Sequence, residues 1–221
     1  MNILRHVAVI GASRGIGKAL AEKFTEQGAT VTATVRTMRG GGDRSPLLDF
    51  SDPDAGRTLE AAVERGTLDA LVVNAGIFGP DHQNVLQAQR DEVADLFWTN
   101  AVAPVRLARR VMPLVRKGGV IAFMSSRTAS ISLNADGDME LYRASKAALN
   151  SLGRSLAIKD ALPAGIGVLM LHPGWVQTEM GGSEAPVTVA DSVAGLIGVI
   201  REAMDRPDCR FVDYEGHELG W

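Results

Sequence analysis

The sequence predicts an α/β fold in which a doubly wound parallel sheet of about seven strands carries helices on both faces, as one domain over residues 1–221. Three observations predict it. Short, β-branched apolar runs alternate with longer helical patterns. A glycine-rich turn joins the first apolar run to the first helical one. The glycine loop, Arg36, Asp49, Asn74, Ser125-Ser126 and Pro173-Gly174 each stand directly after an apolar run, and ligands of open α/β sheets bind outside the carboxyl ends of the strands.

Residues 7–10 form a continuous apolar run stopped by Gly11, the pattern of a strand buried on both faces. A helix follows over 18–27, with Gly28 as its C-cap. Residues 30–35 read as a second strand, 47–50 as a short third, and 53–65 as an amphipathic helix. Residues 68–73 make a fourth strand closing on Asn74-Ala75-Gly76. A helical region covers 86–116, with Pro104 and Pro113 as kinks or boundaries. The fifth strand, 119–124, ends at Ser125-Ser126, and a long helix occupies 141–162. The sixth, 166–171, ends at His172-Pro173-Gly174. A last helix over 188–204 and a final strand at 210–213 complete the order. Strands and helices at this spacing are βαβ units with right-handed crossovers. The Gly40-Gly41-Gly42 run reads as a surface loop.

Composition narrows the function classes. The chain is 46% apolar and 22% charged, the balance of an ordinary globular protein. A net charge of −3 argues against a nucleic-acid or anionic-membrane partner. Cys209 is the single cysteine, so an intrachain disulfide is excluded. The four histidines, His6, His82, His172 and His217, have no metal-site spacing, and no metal is expected. No apolar run approaches the roughly 18 residues of a membrane span, and residues 1–6 lack a signal peptide's apolar core. A cytoplasmic protein is expected.

The glycine loop, Gly11-Ala12-Ser13-Arg14-Gly15-Ile16-Gly17, has the spacing Gly-x3-Gly-x-Gly between strand and helix. Its glycines permit a tight turn and close approach of backbone to phosphate, and the helix start offers free N–H groups to a pyrophosphate. No Gly-Lys-Ser/Thr closes it, so it is not a P-loop; a ligand-free turn is the plain alternative. Between a strand and a helix, the loop reads as the dinucleotide site of a Rossmann-type fold. A carboxylate near the end of the second strand would hold the ribose of NAD(H), yet that segment reads Ala33-Thr34-Val35-Arg36. Arg36, helped by Arg14, suits a 2′-phosphate, so NADP(H) is favoured over NAD(H). Asp49 can accept from an adenine amino group, with Phe50 adding backbone contacts, or can be a turn aspartate. The small residues Ala75 and Gly76 let a ligand ring lie against the backbone after Asn74. Asn100 is a polar residue among apolar helical neighbours, suited to holding a water or a main-chain carbonyl. Ser125-Ser126 are turn formers or hold a substrate carbonyl; no Gly-x-Ser-x-Gly elbow makes either a hydrolase nucleophile.

Tyr142 and Lys146 stand four apart in the long helix, so they share a face. An ammonium beside a phenol favours phenolate and lowers a pKa normally about 10. Such a pair can give a proton to a carbonyl oxygen or take one from an alcohol. Tyr-x3-Lys alone is also a common surface spacing.

Taken in order, GASRGIG, VNAG, the helix Asn100, SS, YRASK and HPGWVQTEM resemble the short-chain dehydrogenase/reductase family over most of the chain. SSRTASIS, YRASKAALN, HPGWVQTEMGG and the ending FVDYEGHELGW are similar to its C-factor-like and sniffer-like carbonyl reductases. The resemblance implies that Tyr142 is the proton donor or acceptor and that Lys146 tunes it and holds the nicotinamide ribose. It further implies that Ser126 orients the carbonyl and Asn100 anchors a relay water. Pro173, Gly174, Val176 and Thr178 would complete the cofactor site. Three departures stand out. Val73 replaces the first asparagine of the family's Asn-Asn-Ala-Gly. Ser126 precedes Tyr142 by 16 positions, further than is usual, so 127–140 must loop out and Ser130 stays a second candidate. Residues 179–187 are short where longer members carry a helical lid, which implies an open pocket.

An NADPH-dependent carbonyl reductase acting on a small-molecule carbonyl or alcohol is the leading reading. A dinucleotide-binding regulatory protein without turnover is the second. A nucleotide-sugar epimerase or dehydratase is disfavoured, since such chains carry a C-terminal substrate domain and about 45 residues after Gly174 leave little room for one. Small residues Ala148, Ser151 and Ser155 on the long helix allow a homodimer or homotetramer, or packing on the sheet.

Overall fold

The strand-forming runs assemble into one sheet of six parallel strands in a computed structural model that describes residues 3–37 and 46–221. The strands are β1 (His6–Ile10), β2 (Thr30–Thr34), β3 (Leu68–Val73), β4 (Val115–Met124), β5 (Gly167–His172) and β6 (Cys209–Asp213). Their spatial order is β2-β1-β3-β4-β5-β6. The helices are α1 (Gly15–Glu26), α2 (Gly56–Ala62), α3 (Arg90–Phe97), α4 (Ala103–Val111), α5 (Glu140–Leu156) and α6 (Val189–Ala203). The Gly40-Gly41-Gly42 loop lies outside the described residues.

Successive strand residues face opposite sides, so each apolar run serves two cores. Ala8, Ile10, Leu71, Val73, Ile121, Phe123, Val168 and Met170 share one cluster with Leu59 of α2, Val105 and Ala108 of α4, and Leu149 and Leu156 of α5. Val7, Val9, Ala70, Val72, Val120, Ala122, Leu169 and Leu171 share the other with Leu20 and Phe24 of α1 and Leu196 and Ile200 of α6. Each fully buried side chain of this size stabilises the fold by about 1.5–3 kcal/mol.

The expected third strand reduces to one bridge, Leu47 to Val35. Pro46 has no N–H to extend the pairing, and Asp49 Oδ1 accepts from the Ser51 amide at 2.9 Å, turning the chain away. The expected 86–116 helix begins later, at Arg90, where the Glu92 carboxylate reaches back 3.0 Å to the Gln89 amide. It is also not one regular helix. A π-helical turn, Trp98–Val102, separates α3 from α4, and Pro104 stands in the first turn of α4. Proline there has no N–H for the Asn100 carbonyl four residues earlier. Such wide turns are frequent at functional sites, and Asn100 lies in this one. Among the described residues no helix is long and apolar enough to cross a membrane.

β1 and β3 are neighbours, yet the chain leaves β1 toward β2 and later returns to β3 on the other side. That reversal opens a crevice at the carboxyl ends of β1 and β3, where the glycine loop and Asn74 stand.

Candidate active site

Gly11 holds φ +85° as the chain turns out of β1, a conformation L side chains rarely adopt. Asn74 then closes the crevice: its Nδ2 donates to the Gly11 carbonyl at 3.0 Å, and the Asn74 and Ala75 amides both donate to the Ile10 carbonyl. A Cβ on Gly17 would lie 2.1 Å from the Gly11 oxygen and 2.5 Å from Asn74 Nδ2. Gly17→Ala is therefore expected to destabilise the protein by about 3 kcal/mol, a fall of about 5–10 °C in the thermal midpoint. A midpoint unchanged from the parent would show that the loop relaxes without cost.

No side chain caps α1 at Arg14, and its first turn contains no acidic residue. The first-turn amides therefore have no side-chain cap and carry the positive end of the helix dipole. Thr178, in the loop after β5, covers Gly15: its Cγ2 is 3.7 Å from where a Cβ would stand. That loop is built by Gly174 at φ +88°, by the Pro173 carbonyl accepting from Ser192 Oγ at 2.6 Å, and by the Val176–Val187 bridge. Thr178 Oγ1 accepts from the Gly181 amide at 3.1 Å. Across the crevice Arg14 forms an ion pair with Glu179, both side chains largely exposed.

The second half of the site surrounds α5. Lys146 is 4% exposed, and its Nζ donates to the Met124 carbonyl at 2.9 Å, tying α5 to the end of β4. The same Nζ is 5.7 Å from the centre of the Tyr142 ring. A Cβ on Gly76 would be 3.3 Å from Lys146 Nζ and 3.2 Å from Asn100 Oδ1, so these three positions converge. Asn100 is fully engaged. Its Oδ1 accepts from the Ile77 amide at 2.8 Å, and its Nδ2 donates to the Ile77 carbonyl at 2.8 Å and to Ser145 Oγ at 3.0 Å. Ser145 in turn donates to the Tyr142 carbonyl at 2.7 Å.

The two serines after β4 have different partners. Ser125 Oγ donates to Asn150 Oδ1 at 2.6 Å and is committed to α5. Ser126 Oγ accepts from the Thr128 amide and hydroxyl at 3.2 and 2.8 Å, and keeps its own hydrogen to donate. Ser130 faces its own turn, with the Leu133 amide donating to it at 3.2 Å and Ser132 Oγ 3.1 Å away.

Electrostatics depart from the sequence expectation. Burial pushes the Tyr142 phenol up to about 12 rather than down, and burial pulls the Lys146 ammonium down to about 8. Loss of water around each group is the cause of both shifts. Near neutral pH the resting pair is thus a protonated phenol above a charged lysine.

A third group stands apart, at the end of β2. That strand reaches the glycine loop through the Ala12 amide on the Thr34 carbonyl, 2.8 Å. Arg36 and Asp49 are exposed there. The Asp49 carboxyl is held below its usual range first by the Ser51 amide and, more weakly, by Arg36. The Phe50 carbonyl accepts from Trp98 Nε1 at 3.0 Å, linking this end to the π-helical turn. Ser13 and Ile16 are partly buried in the glycine loop. A cleft of ≈ 460 Å³ is lined by Arg14, Glu179, Met180, Ile77, Phe78 and Pro80.

Sequence reasoning missed Glu179, Ser145 and Gln83, whose Oε1 accepts from the Tyr142 amide at 2.8 Å. Ser145 lies inside YRASK and was within reach of the motif. Glu179 and Gln83 stand in loops, where spacing has no period to read. One cluster of possible metal ligands among the described residues, Asp213, Glu215 and His217, also went unseen. Asp213 Oδ1 accepts from the Glu215 and His217 amides, which makes the cluster a turn.

Comparison with known proteins agrees with the fold. A family profile described as enoyl-(acyl carrier protein) reductase matches residues 11–194. The chain is 38% identical over 171 residues to the C-signal of Myxococcus xanthus, covering 75% of this chain and 99% of that one. It superposes on a carbonyl reductase from Pseudomonas aeruginosa PAO1 with a TM-score of 0.89 and 42% identity, over 99% of this chain and all of the other. The structure of a P. aeruginosa PAO1 carbonyl reductase in complex with NADP gives a TM-score of 0.88, 42% identity and the same coverage. The carbonyl reductase Sniffer of D. melanogaster gives a TM-score of 0.85 at 28% identity, over 99% of this chain and all of that one. The chain belongs to the short-chain dehydrogenase/reductase family, as an oxidoreductase.

Proposed function

We propose that the protein is an NADPH-dependent carbonyl reductase that interconverts an aldehyde or ketone with its alcohol, Tyr142 serving as general acid/base. The observation that carries the reading is Lys146, buried beside the Tyr142 ring and held by the Met124 carbonyl where Gly76 and Asn100 converge. A structural lysine has no need to be drawn into such a place, because burying its charge is costly.

The residues present fit a dinucleotide. The uncapped start of α1 and the space above Gly15, bounded by Thr178, suit a pyrophosphate beside Gly11, Ser13, Arg14, Gly15, Ile16 and Gly17. Asp49 and Phe50 would contact the adenine end. Asn74, Ala75 and Gly76, with Pro173, Gly174, Val176 and Thr178, would flank the nicotinamide end. Bound there, NADPH supplies the hydride. The chain's own residues do the rest. Ser126 Oγ–H donates to the substrate oxygen and orients it. The Tyr142 hydroxyl donates its proton to that oxygen as negative charge develops, and the Lys146 charge stabilises the phenolate left behind. Asn100 holds the Ile77 backbone and Ser145, tying α5 to the segment after β3.

The NADP bound in the P. aeruginosa structure supports the phosphorylated cofactor, as does exposed Arg36 at the end of β2. Arg36→Ala is expected to weaken NADPH binding far more than NADH binding; equal losses would remove Arg36 from 2′-phosphate recognition. Glu179→Gln frees the second arginine, Arg14, from its ion pair. An exposed pair of this kind contributes up to about 1 kcal/mol. NADPH affinity is therefore expected to rise by about 2- to 5-fold with NADH less changed. A fall in NADPH affinity would show that Glu179 helps to hold the cofactor.

Titration with NADPH and NADH, followed by a panel of carbonyl compounds at the nicotinamide absorbance, tests the proposal. Tight NADPH binding with oxidation by one class of carbonyl is the expected result. Binding with no turnover on any of them would favour a regulatory protein.

A further inference from the structure

Gln83 is a buried glutamine, 7% exposed, in a backbone conformation with φ +48° that a residue with a side chain seldom takes. Non-glycine residues persist there when their surroundings over-determine them, and such positions cluster at functional sites. Three hydrogen bonds do so here. Its Nε2 donates to the Phe78 carbonyl at 3.0 Å and to the Pro80 carbonyl at 2.7 Å. Its Oε1 accepts from the Tyr142 amide at 2.8 Å.

The last of these bonds falls where α5 needs it. The residue before α5, Met139, is left-handed at φ +56° and offers no side-chain cap. Tyr142 is the third residue of the helix, so its N–H lacks an intrahelical partner. Gln83 supplies that cap from 59 residues away. The other two bonds fix the loop that carries Phe78, whose ring packs against Tyr142 with centroids 5.3 Å apart. One side chain thus holds both the backbone of Tyr142 and the ring against it.

We propose that Gln83 is a positioning residue for Tyr142, locking the first turn of α5 to the Phe78–Pro80 loop so that the phenol ring is held against Phe78, which lines the cleft. This rests on the reading of Tyr142 as general acid, and the experiment keeps the two apart. Gln83→Met keeps the length and volume of the side chain and removes all three bonds. Gln83→Glu keeps the acceptor for the Tyr142 amide and loses both donors at neutral pH. The chain has two tyrosines, so labelling with [¹³Cζ]tyrosine gives two resonances, and Tyr214→Phe assigns them.

In Gln83→Met the Tyr142 resonance is expected to move toward the value of a solvated phenol while that of Tyr214 stays. The kcat for carbonyl reduction is expected to fall about 10-fold or more, with KM less changed, as for a displaced catalytic group. Gln83→Glu, which preserves the helix cap, is expected to lose kcat by a smaller factor of about 3. If Gln83→Met does not fold, the Gln83→Glu resonance and kcat decide. An unmoved Tyr142 resonance in the folded variant, or a kcat within 2-fold of the parent (under about 0.4 kcal/mol), overturns the positioning role. Should Tyr142→Phe itself keep full turnover, the general-acid reading fails, and the resonance alone still judges whether Gln83 places the ring.

Discussion

Tyr142→Phe is expected to slow carbonyl reduction by at least about 10²-fold while leaving the fold and NADPH binding intact. The substitution removes one oxygen. The Phe78 contact at 5.3 Å, the Gln83 cap on the residue's amide and the Ser145 bond to its carbonyl all persist. The loss is therefore confined to the proton donor. With the phenol near 12 it remains protonated throughout the usual assay range, so reduction finds its donor already loaded. The reverse reaction needs phenolate and should be favoured by alkaline pH. Measured kcat, cofactor affinity and thermal midpoint separate the outcomes, and near-parental turnover would remove Tyr142 from the mechanism.

Lys146→Met is expected to abolish most turnover and yet to make the protein more stable at pH 7. Burial lowers the lysine from 10.5 to about 8, so between those values the folded protein binds fewer protons than the unfolded chain. Stability of the parent then rises with pH through that window. Below pH 8 the cost of burying the charge is present in full, about 3 kcal/mol. Methionine has similar length and no charge. After loss of the bond to the Met124 carbonyl, a gain of about 1–2 kcal/mol remains. This advantage should shrink between pH 8 and 10.5 as the parent's lysine becomes neutral. Parental turnover should fall over the alkaline side of pH 8 for the same reason. Denaturation at pH 7 and pH 10 checks the sign: a variant less stable than the parent at pH 7, or an advantage growing with pH, would show that Lys146 supports the fold.

The sheet was legible in the sequence because its period-two runs are apolar on both faces, which leaves few alternative placements for segments such as 68–73 and 166–171. The glycine loop was legible for a related reason: Gly11 and Gly17 stand where a side chain would collide with Ala75 or Gly11. Other features depended on contacts with distant parts of the chain. The 47–50 segment has strand composition, but Pro46 and Asp49 end its pairing after one bridge. The π-helical turn at Asn100 has the composition of an ordinary helix. The direction of the Tyr142 shift could not be read from Tyr-x3-Lys, because spacing reports proximity of charge and not loss of water. Gln83 was invisible because its role depends on Tyr142, 59 residues away.

Deuterium transfer tests hydride delivery to a carbonyl most directly. NADPH deuterated at nicotinamide C4, on each face in turn, is incubated with the protein and a reactive ketone or aldehyde, and the alcohol is examined by mass spectrometry. One face is expected to place deuterium on the carbinol carbon, with Tyr142→Phe reducing the yield in proportion to its kcat. NADPH bound by the protein, with no deuterium entering any carbonyl of the panel from either face, would contradict the assignment.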